Sequence, residues 1–232
     1  MTAPAFKYIG KGVYSLTEAE RLTKIPRKRI RRWMEGYAFT VKGKRRQSTP
    51  VILSDIGRAA GQLALTFSDL IEIRFLDAFI DHGVSWRAVR IAAERARELL
   101  SRQHPFSTKQ FKTDGRDILA EIARAGELPE LLNLVKNQWE LERVVTPMLF
   151  SGIEFNEYDE PERWWPMTKA RMIVIDPQRS FGAPIVSDGG VRTEILVASA
   201  RAERSQKLAA RLYDVPLRAV RDAIEYETRF LA

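Results

Sequence analysis

Apolar positions along the chain recur at helical spacing in most stretches, with brief alternating or basic interruptions. Leu16, Ala19 and Leu22 follow Ser15 at three-residue steps, and Glu18 stands three residues after that serine, so a helix with a capping box is predicted to start near Leu16. The pattern breaks at Thr23-Lys24 and resumes after Ile25-Pro26, because a proline in a first helical turn gives up an N–H that has no partner there. From about Arg27 to Tyr37, Ile30, Trp33, Met34 and Tyr37 make an inward face, while Arg27, Lys28, Arg31 and Arg32 face outward with Arg29 nearby. Ala38 to Val41 and Pro50 to Leu53 read as two short strands around Lys42, Gly43, Lys44, Arg45, Arg46 and Gln47. Thr66 and Asp69 form a second capping box before a helix ending at Gly83, whose Leu70, Ile71, Ile73, Phe75, Leu76, Phe79 and Ile80 predict burial around most of its circumference. Ser85 caps the next helix, with Val89, Ala92, Ala93, Ala96, Leu99 and Leu100 on one face.

Further on, Asp114-Gly115 is a hairpin turn signal, which predicts strands at about 108 to 113 and 116 to 121. Pro129 opens a helix reaching about Thr146, in which Leu131, Leu134, Gln138, Leu141 and Val145 alternate at three- and four-residue steps. That spacing suits either a seam between two copies of the chain or an ordinary core helix, and both readings stand. Residues 153 to 186 are β-like and proline-rich. A strand pair around Asp188-Gly189-Gly190 then leads to helices at 193 to 203, 205 to 213 and 217 to 230, with Leu208, Leu212, Val215, Leu217, Val220, Ile224 and Tyr226 as core positions. The expected fold is mainly α with short β-hairpins: a winged helix-turn-helix over 1–104, a central hairpin, dimerisation helix and β-rich connector over 105–178, and a helix-turn-helix-like three-helix domain over 179–232.

Charge sharpens this picture through its distribution. The net charge is +8, yet residues 1–61 carry 14 Lys and Arg against 4 Asp and Glu, a net of +10, leaving −2 for the rest. Such asymmetry points to a polyanion-binding module attached to a near-neutral body. No cysteine is present, which excludes disulfides and thiolate metal sites and fits a reducing compartment. No apolar run of membrane-spanning length or signal-peptide core appears, so a cytoplasmic protein without a membrane partner is expected.

Candidate catalytic chemistry is thin. The acidic residues Glu154, Glu157, Asp159, Glu160 and Glu162 are read as a solvated run or, alternatively, a metal or acid/base site. With only His82 and His104, no nucleophile elbow and no phosphate loop, no catalytic residue, metal or cofactor is expected. His82 is read as capping a helix end and His104 as part of a connector. Trp139, Phe150, Trp164 and Trp165 are read as core or interface residues, or as the lining of a small apolar ligand's pocket.

Two short helices joined by a tight turn, the second strongly basic and followed by a basic hairpin, describe a helix-turn-helix with a wing. The candidate DNA-contacting residues are Ser15, Arg27, Lys28, Arg29, Arg31, Arg32, Lys42, Lys44, Arg45 and Arg46. A solvated basic face and a mobile loop are the alternative readings of helix and wing. Residues 13 to 100 resemble the DNA-binding part of MerR-type winged-helix regulators: Tyr14, Ser15, Glu18, Ala19, Leu22, Ile25, Arg27, Ile30 and Arg31 match that pattern, followed by Ser68-Asp69-Leu70 and His82-Gly83-Val84-Ser85. The segment from Lys42 to Thr49 departs from the shorter wing of that family. Pro184-Ile185, Gly190-Val191-Arg192 and the late Tyr213, Val215, Val220, Ala223 and Tyr226 resemble a small helical domain found in VapB-like antitoxins. Together, head and tail look like the long mycobacterial-type VapB antitoxins. The resemblance implies a homodimer that represses its own operon through operator DNA and neutralises a PIN-like ribonuclease toxin. Under it, Arg192, Arg201, Arg204, Arg211 and Arg218 are candidate toxin contacts, and Leu131, Leu134, Gln138, Leu141 and Val145 the dimer contact. A MerR-like regulator responding to a small apolar ligand is the alternative.

Overall fold

A computed structural model describes residues 10–59, 61–136 and 150–230. The chain divides into two compact units. The first holds the described residues from Ser15 to Phe150 together with Phe155–Pro161, and the second holds those up to Tyr14, Ser151–Glu154 and those from Glu162 onward. The fold is mainly α with short antiparallel strands.

In the first unit the capped start is formed as its residues demand. The Ser15 hydroxyl accepts from the Glu18 amide at 3.2 Å and the Glu18 carboxylate accepts from the Ser15 amide at 2.8 Å, opening α1 (Leu16–Thr23). Lys24 turns the chain in the left-handed region, and α2 (Arg27–Glu35) follows Pro26. Strands β1 (Ala38–Val41) and β2 (Lys44–Gln47) then pair antiparallel from Ala38↔Gln47 to Val41↔Lys44. Their two-residue turn, Lys42-Gly43, has φ of 49° and 75°, the primed geometry that matches strand twist.

This register corrects the expected second strand. Lys44, Arg45 and Arg46 lie in β2 itself, and 50–53 is not a strand. That segment instead hangs from side-chain donors of α4 (Trp86–Leu100) and just beyond: Arg90 to Thr49 O at 2.9 Å, Arg97 to Val51 O at 2.8 Å, and Gln103 to Leu53 O. A short pair, β3 (Arg58–Ala59) and β4 (Gln62–Leu65), precedes α3 (Phe67–Asp81), whose Thr66/Asp69 box is complete. As its pattern predicts, α3 is buried nearly all round, and it buries Asp69 and Glu72 as well.

The predicted hairpin at 108–121 is wrong. That sequence is α5 (Lys109–Ala125), opened by the Thr108 hydroxyl accepting from the Phe111 amide at 3.0 Å. Phe111, Ile118, Leu119, Ile122 and Ala123 are buried along one side, so helical periodicity over 17 residues outweighs the Asp114-Gly115 turn signal. Phe111 joins Phe75, Phe106 and Phe150 in a ring cluster, with Phe75 and Phe111 edge-on at 5.7 Å. Helix α6 (Pro129–Lys136) packs on α5. Leu131 and Leu134 are buried within this unit, whereas Gln138, Leu141 and Val145 lie outside the described residues.

The second unit carries a four-stranded sheet in order β5 (Ile153–Phe155), β6 (Pro161–Trp164), β7 (Ile173–Ile175) and β8 (Pro184–Val186). The Tyr14 hydroxyl donates to Gly182 O at 3.1 Å within it. Three helices follow: α7 (Thr193–Ala202), α8 (Gln206–Leu212) and α9 (Leu217–Glu225). Their core is Leu196, Ala200, Ala209, Ala219, Val220, Ala223 and Tyr226, with Val186 of the sheet. Leu208 and Leu212, expected inside, are 40% and 58% exposed. Alanines at the contact let the helix axes approach closely, and the two leucines turn outward.

Candidate nucleic-acid interface

Helix α2 is fixed by its apolar face and presents the opposite one. Ile30 and Trp33 have no exposed surface, and Trp33 packs against Trp86 with centroids 5.4 Å apart. The Trp33 carbonyl accepts from Val51 and Ile52 amides at 2.7 and 3.0 Å, tying the segment after the hairpin to the end of α2. At the hairpin's base, Tyr37 N donates to the Ser48 hydroxyl and Ser48 N to Tyr37 O, both at 2.9 Å. Gly36 is needed between them: its φ is +74°, and a Cβ there would lie 2.1 Å from Ser48 O. Helix and hairpin therefore leave this corner in one set orientation.

The predicted DNA-contacting residues separate into three groups. Lys28 and Arg31 on α2, and Lys42, Lys44, Arg45 and Arg46 on the hairpin, are exposed and have no ion-pair partner among the described residues. Arg27 and Arg32 are exposed but engaged locally, Arg27 with Glu20 at 3.3 Å and Arg32 over the Tyr37 ring at 4.3 Å. Such exposed contacts are weak and leave both cations available to another anion. Arg29 behaves differently. It hydrogen-bonds Asp77 and lies 3.5 Å from Asp81, so it fastens α2 to α3. The Asp77 hydrogen bond holds the Arg29 guanidinium above its ordinary value, while burial pushes the Asp77 carboxyl up against that bond. Ser15 serves its own helix as cap.

Beside the hairpin, an open cleft of about 470 Å³ is lined by Tyr37, Phe39, Thr49, Trp86, Arg87 and Arg90. Its surface combines ring faces with guanidinium groups and contains no carboxylate.

A buried polar group on α3 escaped the sequence reading. Glu72 is 2% exposed and accepts from the Ser107 amide at 3.0 Å; burial pushes its carboxyl up to about 8, against the pull of the Phe106 and Ser107 amides and of Arg97. Asp69 accepts from Ser54 at 2.5 Å and stands 3.6 Å from His104, whose imidazole burial holds below its ordinary value. The available signal was two acidic residues, Asp69 and Glu72, inside an otherwise apolar helix. His82 Nδ1 donates to Ala78 O at 2.7 Å, capping α3 as read.

Elsewhere, Glu154 pairs with Arg171 at 3.2 Å and Glu162 with Arg163 at 3.2 Å, so these members of the acidic run are held by arginines. Among the described residues no group of three or more His, Asp or Glu is placed to hold a metal, and no helix is long and apolar enough to cross a membrane. Phe150 is packed among rings and Trp164 is buried at β6, paired with Ile175; Trp139 lies outside the described residues. Of the proposed toxin contacts, Arg192 bonds Glu194 at 3.3 Å and Arg218 lies 3.6 Å from Asp222. Arg201, Arg204 and Arg211 are exposed, near the outward Leu208 and Leu212 in sequence.

No protein-family model matches the chain. Its sequence is 25% identical over 223 residues, 92% of each chain, to a Mycobacterium tuberculosis protein named "Putative antitoxin VapB45". Its fold is that of the crystal structure of Rv2018 from Mycobacterium tuberculosis, with a TM-score of 0.71 at 22% identity, covering 91% of this chain and 96% of that one. Both similarities run nearly the full length of the chain and of the protein it matches.

Proposed function

We propose that this protein is the antitoxin of a toxin–antitoxin pair, combining a MerR-like winged head that binds operator DNA with a helical tail that covers a PIN-like ribonuclease. The observation that carries the reading is the end-to-end similarity to a protein named as an antitoxin. It is supported by Lys28 and Arg31 of α2 and by Lys42, Lys44, Arg45 and Arg46 of the hairpin, which are exposed without carboxylate partners among the described residues. Long basic side chains on a rigid helix and an adjacent two-stranded ribbon suit a duplex: the helix enters the major groove while the ribbon meets backbone phosphate or the minor groove. In this assignment Lys28, Arg31, Lys42, Lys44, Arg45 and Arg46 contact DNA, Arg27 and Arg32 assist, and Arg29 positions α2. A homodimer on an inverted repeat would set two reading helices about 34 Å apart.

For the toxin, the outward leucines Leu208 and Leu212 offer apolar side chains, and the exposed Arg201, Arg204 and Arg211, near them in sequence, offer guanidinium groups. That chemistry suits a partner whose active site gathers carboxylates, because guanidinium pairs with them bidentately. Residues 1–104, 105–178 and 179–232 are then the reading, linking and toxin-binding parts.

Changing Arg27, Lys28 and Arg31 together to alanine is expected to abolish binding to the DNA upstream of the gene and leave neutralisation of the neighbouring gene's product intact. Gel-shift and growth-rescue assays on the same variant check this. Loss of both activities with an unaltered melting curve would count against separate surfaces.

A further inference from the structure

The tail contains a second copy of the head's helix-turn-helix, displaced by 190 residues. Aligning 15–35 on 205–225 without a gap gives seven identical residues of 21: Ser15/Ser205, Ala19/Ala209, Arg21/Arg211, Leu22/Leu212, Pro26/Pro216, Arg31/Arg221 and Glu35/Glu225. Ile25/Val215, Lys28/Arg218, Ile30/Val220 and Met34/Ile224 keep their chemistry. A run of matches at one fixed offset is what an internal repeat leaves in a sequence.

The backbone repeats with it. Ser15 and Ser205 each accept from the amide three residues on, at 3.2 Å in both helices. Lys24 and Asp214 both turn with positive φ, 64° and 50°. Pro26 and Pro216 cap with φ of −56° and −59°, and their carbonyls accept from Arg29 and Ala219 amides at 2.8 Å in each case. The second helices, Arg27–Glu35 and Leu217–Glu225, begin and end at equivalent residues. Burial follows the same phase: Ala19 and Ala209 are fully buried, as are Ile30 and Val220, while Lys28, Arg31, Arg218 and Arg221 are exposed.

We infer that α9 is a second DNA-contacting helix, which grips backbone phosphate through Arg218 and Arg221. The inference rests on the proposed DNA-binding role of the head. Its particular form follows from what the copy lacks. Leu217, Ala219 and Asp222 replace Arg27, Arg29 and Arg32, and residues 226–230 continue as helical turn where the head has its hairpin. Two cations spaced three residues apart suit adjacent phosphates, and without a basic wing or a wider polar face they carry no base-edge readout. Arg218 is 67% exposed and stands 3.6 Å from the largely buried Asp222, beyond hydrogen-bond distance, so its guanidinium donors remain available to a phosphate. The tail helix therefore adds sequence-independent affinity to a complex whose register the head sets.

The test titrates the full chain onto two fluorescent duplexes, the DNA upstream of its own gene and a scrambled duplex of equal length, across a series of salt concentrations. Each phosphate contact contributes about 0.9 to the slope of log affinity against log salt. R218A/R221A is expected to lower that slope by about two per bound chain, and to weaken both duplexes by the same factor. R218K/R221K should restore the slope, since a lysine still neutralises phosphate. Circular dichroism and melting of each variant exclude unfolding as the cause, and R221E supplies an independent exposed change. An unchanged slope in well-folded R218A/R221A and R221E overturns the inference. So does an unchanged slope accompanied by lost toxin neutralisation, which would make α9 a protein-binding face. K28A/R31A is run in parallel: if it leaves binding unaltered while R218A/R221A reduces it, the head's role falls and that of α9 stands.

Discussion

Glu72 occupies a site where a carboxylate has almost no water, 2% exposed on α3 and bonded to the Ser107 amide. Burial raises its folded value to about 8, while in an unfolded chain a glutamate titrates near ~4.3. Between those values the native protein keeps a proton that the unfolded chain has released, so stability falls as pH rises and levels off above about 8. His104 acts in the opposite sense: its lowered value makes the native state bind fewer protons, which costs stability as pH falls below the ordinary histidine value of about 6.5. The window free of the histidine is therefore from about 6.5 to about 8. There the wild-type stability is expected to fall with rising pH by roughly 1 kcal/mol per pH unit or less, and the melting temperature to drop with it. Glu72→Gln keeps an acceptor for the Ser107 amide and removes the titration, so its melting temperature should be flat across that window. A wild-type slope that persists in Glu72→Gln would place its origin in another group.

Among the helices, α5 shows how local and longer-range signals compete. Asp114-Gly115 carries the residues of a tight turn, but a turn signal spans two positions, and the one-sided burial of Phe111, Ile118, Leu119 and Ile122 spans most of a 17-residue helix. Gly115 sits inside that helix without positive φ, and a Cβ there would meet the Phe111 ring at 3.4 Å, an ordinary contact distance. Gly115→Ala is therefore expected to stabilise the protein by about 0.5–1 kcal/mol, since glycine costs that much in a helix interior. Chemical denaturation measures it, and a loss of similar size would speak for a strained or turn-like backbone at 115. The same contrast separates what was legible in the sequence from what was not. The Ser15/Glu18 and Thr66/Asp69 boxes, Pro26 and the outward basic residues of α2 are readable because each depends on neighbours within one turn. The pairing of Arg29 was not legible because its partners Asp77 and Asp81 lie 48 and 52 residues away, and only packing brings them together. Leu208 and Leu212 were placed inside because leucines ordinarily fill cores, whereas here alanines make the helix contacts. The hairpin's cations were legible as a group but not their register, which the Lys42-Gly43 turn fixes.

On the scale of the whole chain, charge and apolar surface are divided between two proposed partners, and the division has a consequence that salt exposes. Residues 1–61 carry the net charge of +10 and the remainder −2. If Lys28, Arg31, Lys42, Lys44, Arg45 and Arg46 each neutralise a phosphate, binding to the upstream duplex should fall with salt at a slope of about −5 per chain from the head alone. The proposed toxin face has a different composition, in which Leu208 and Leu212 supply apolar area that salt does not screen and Arg201, Arg204 and Arg211 form its rim. Rim charges chiefly alter association rate, and buried apolar contact sustains the complex. Raising salt is therefore expected to strip the protein from DNA while it stays bound to the neighbouring gene's product. Fluorescence anisotropy with labelled duplex and size-exclusion chromatography of the protein pair, run through the same salt series, make the comparison. Parallel dissociation of both complexes would mean that one set of cations holds both partners. A difference in slope would instead let ionic conditions act on the two proposed complexes separately, because the proposed toxin face would not require the cations proposed to meet DNA.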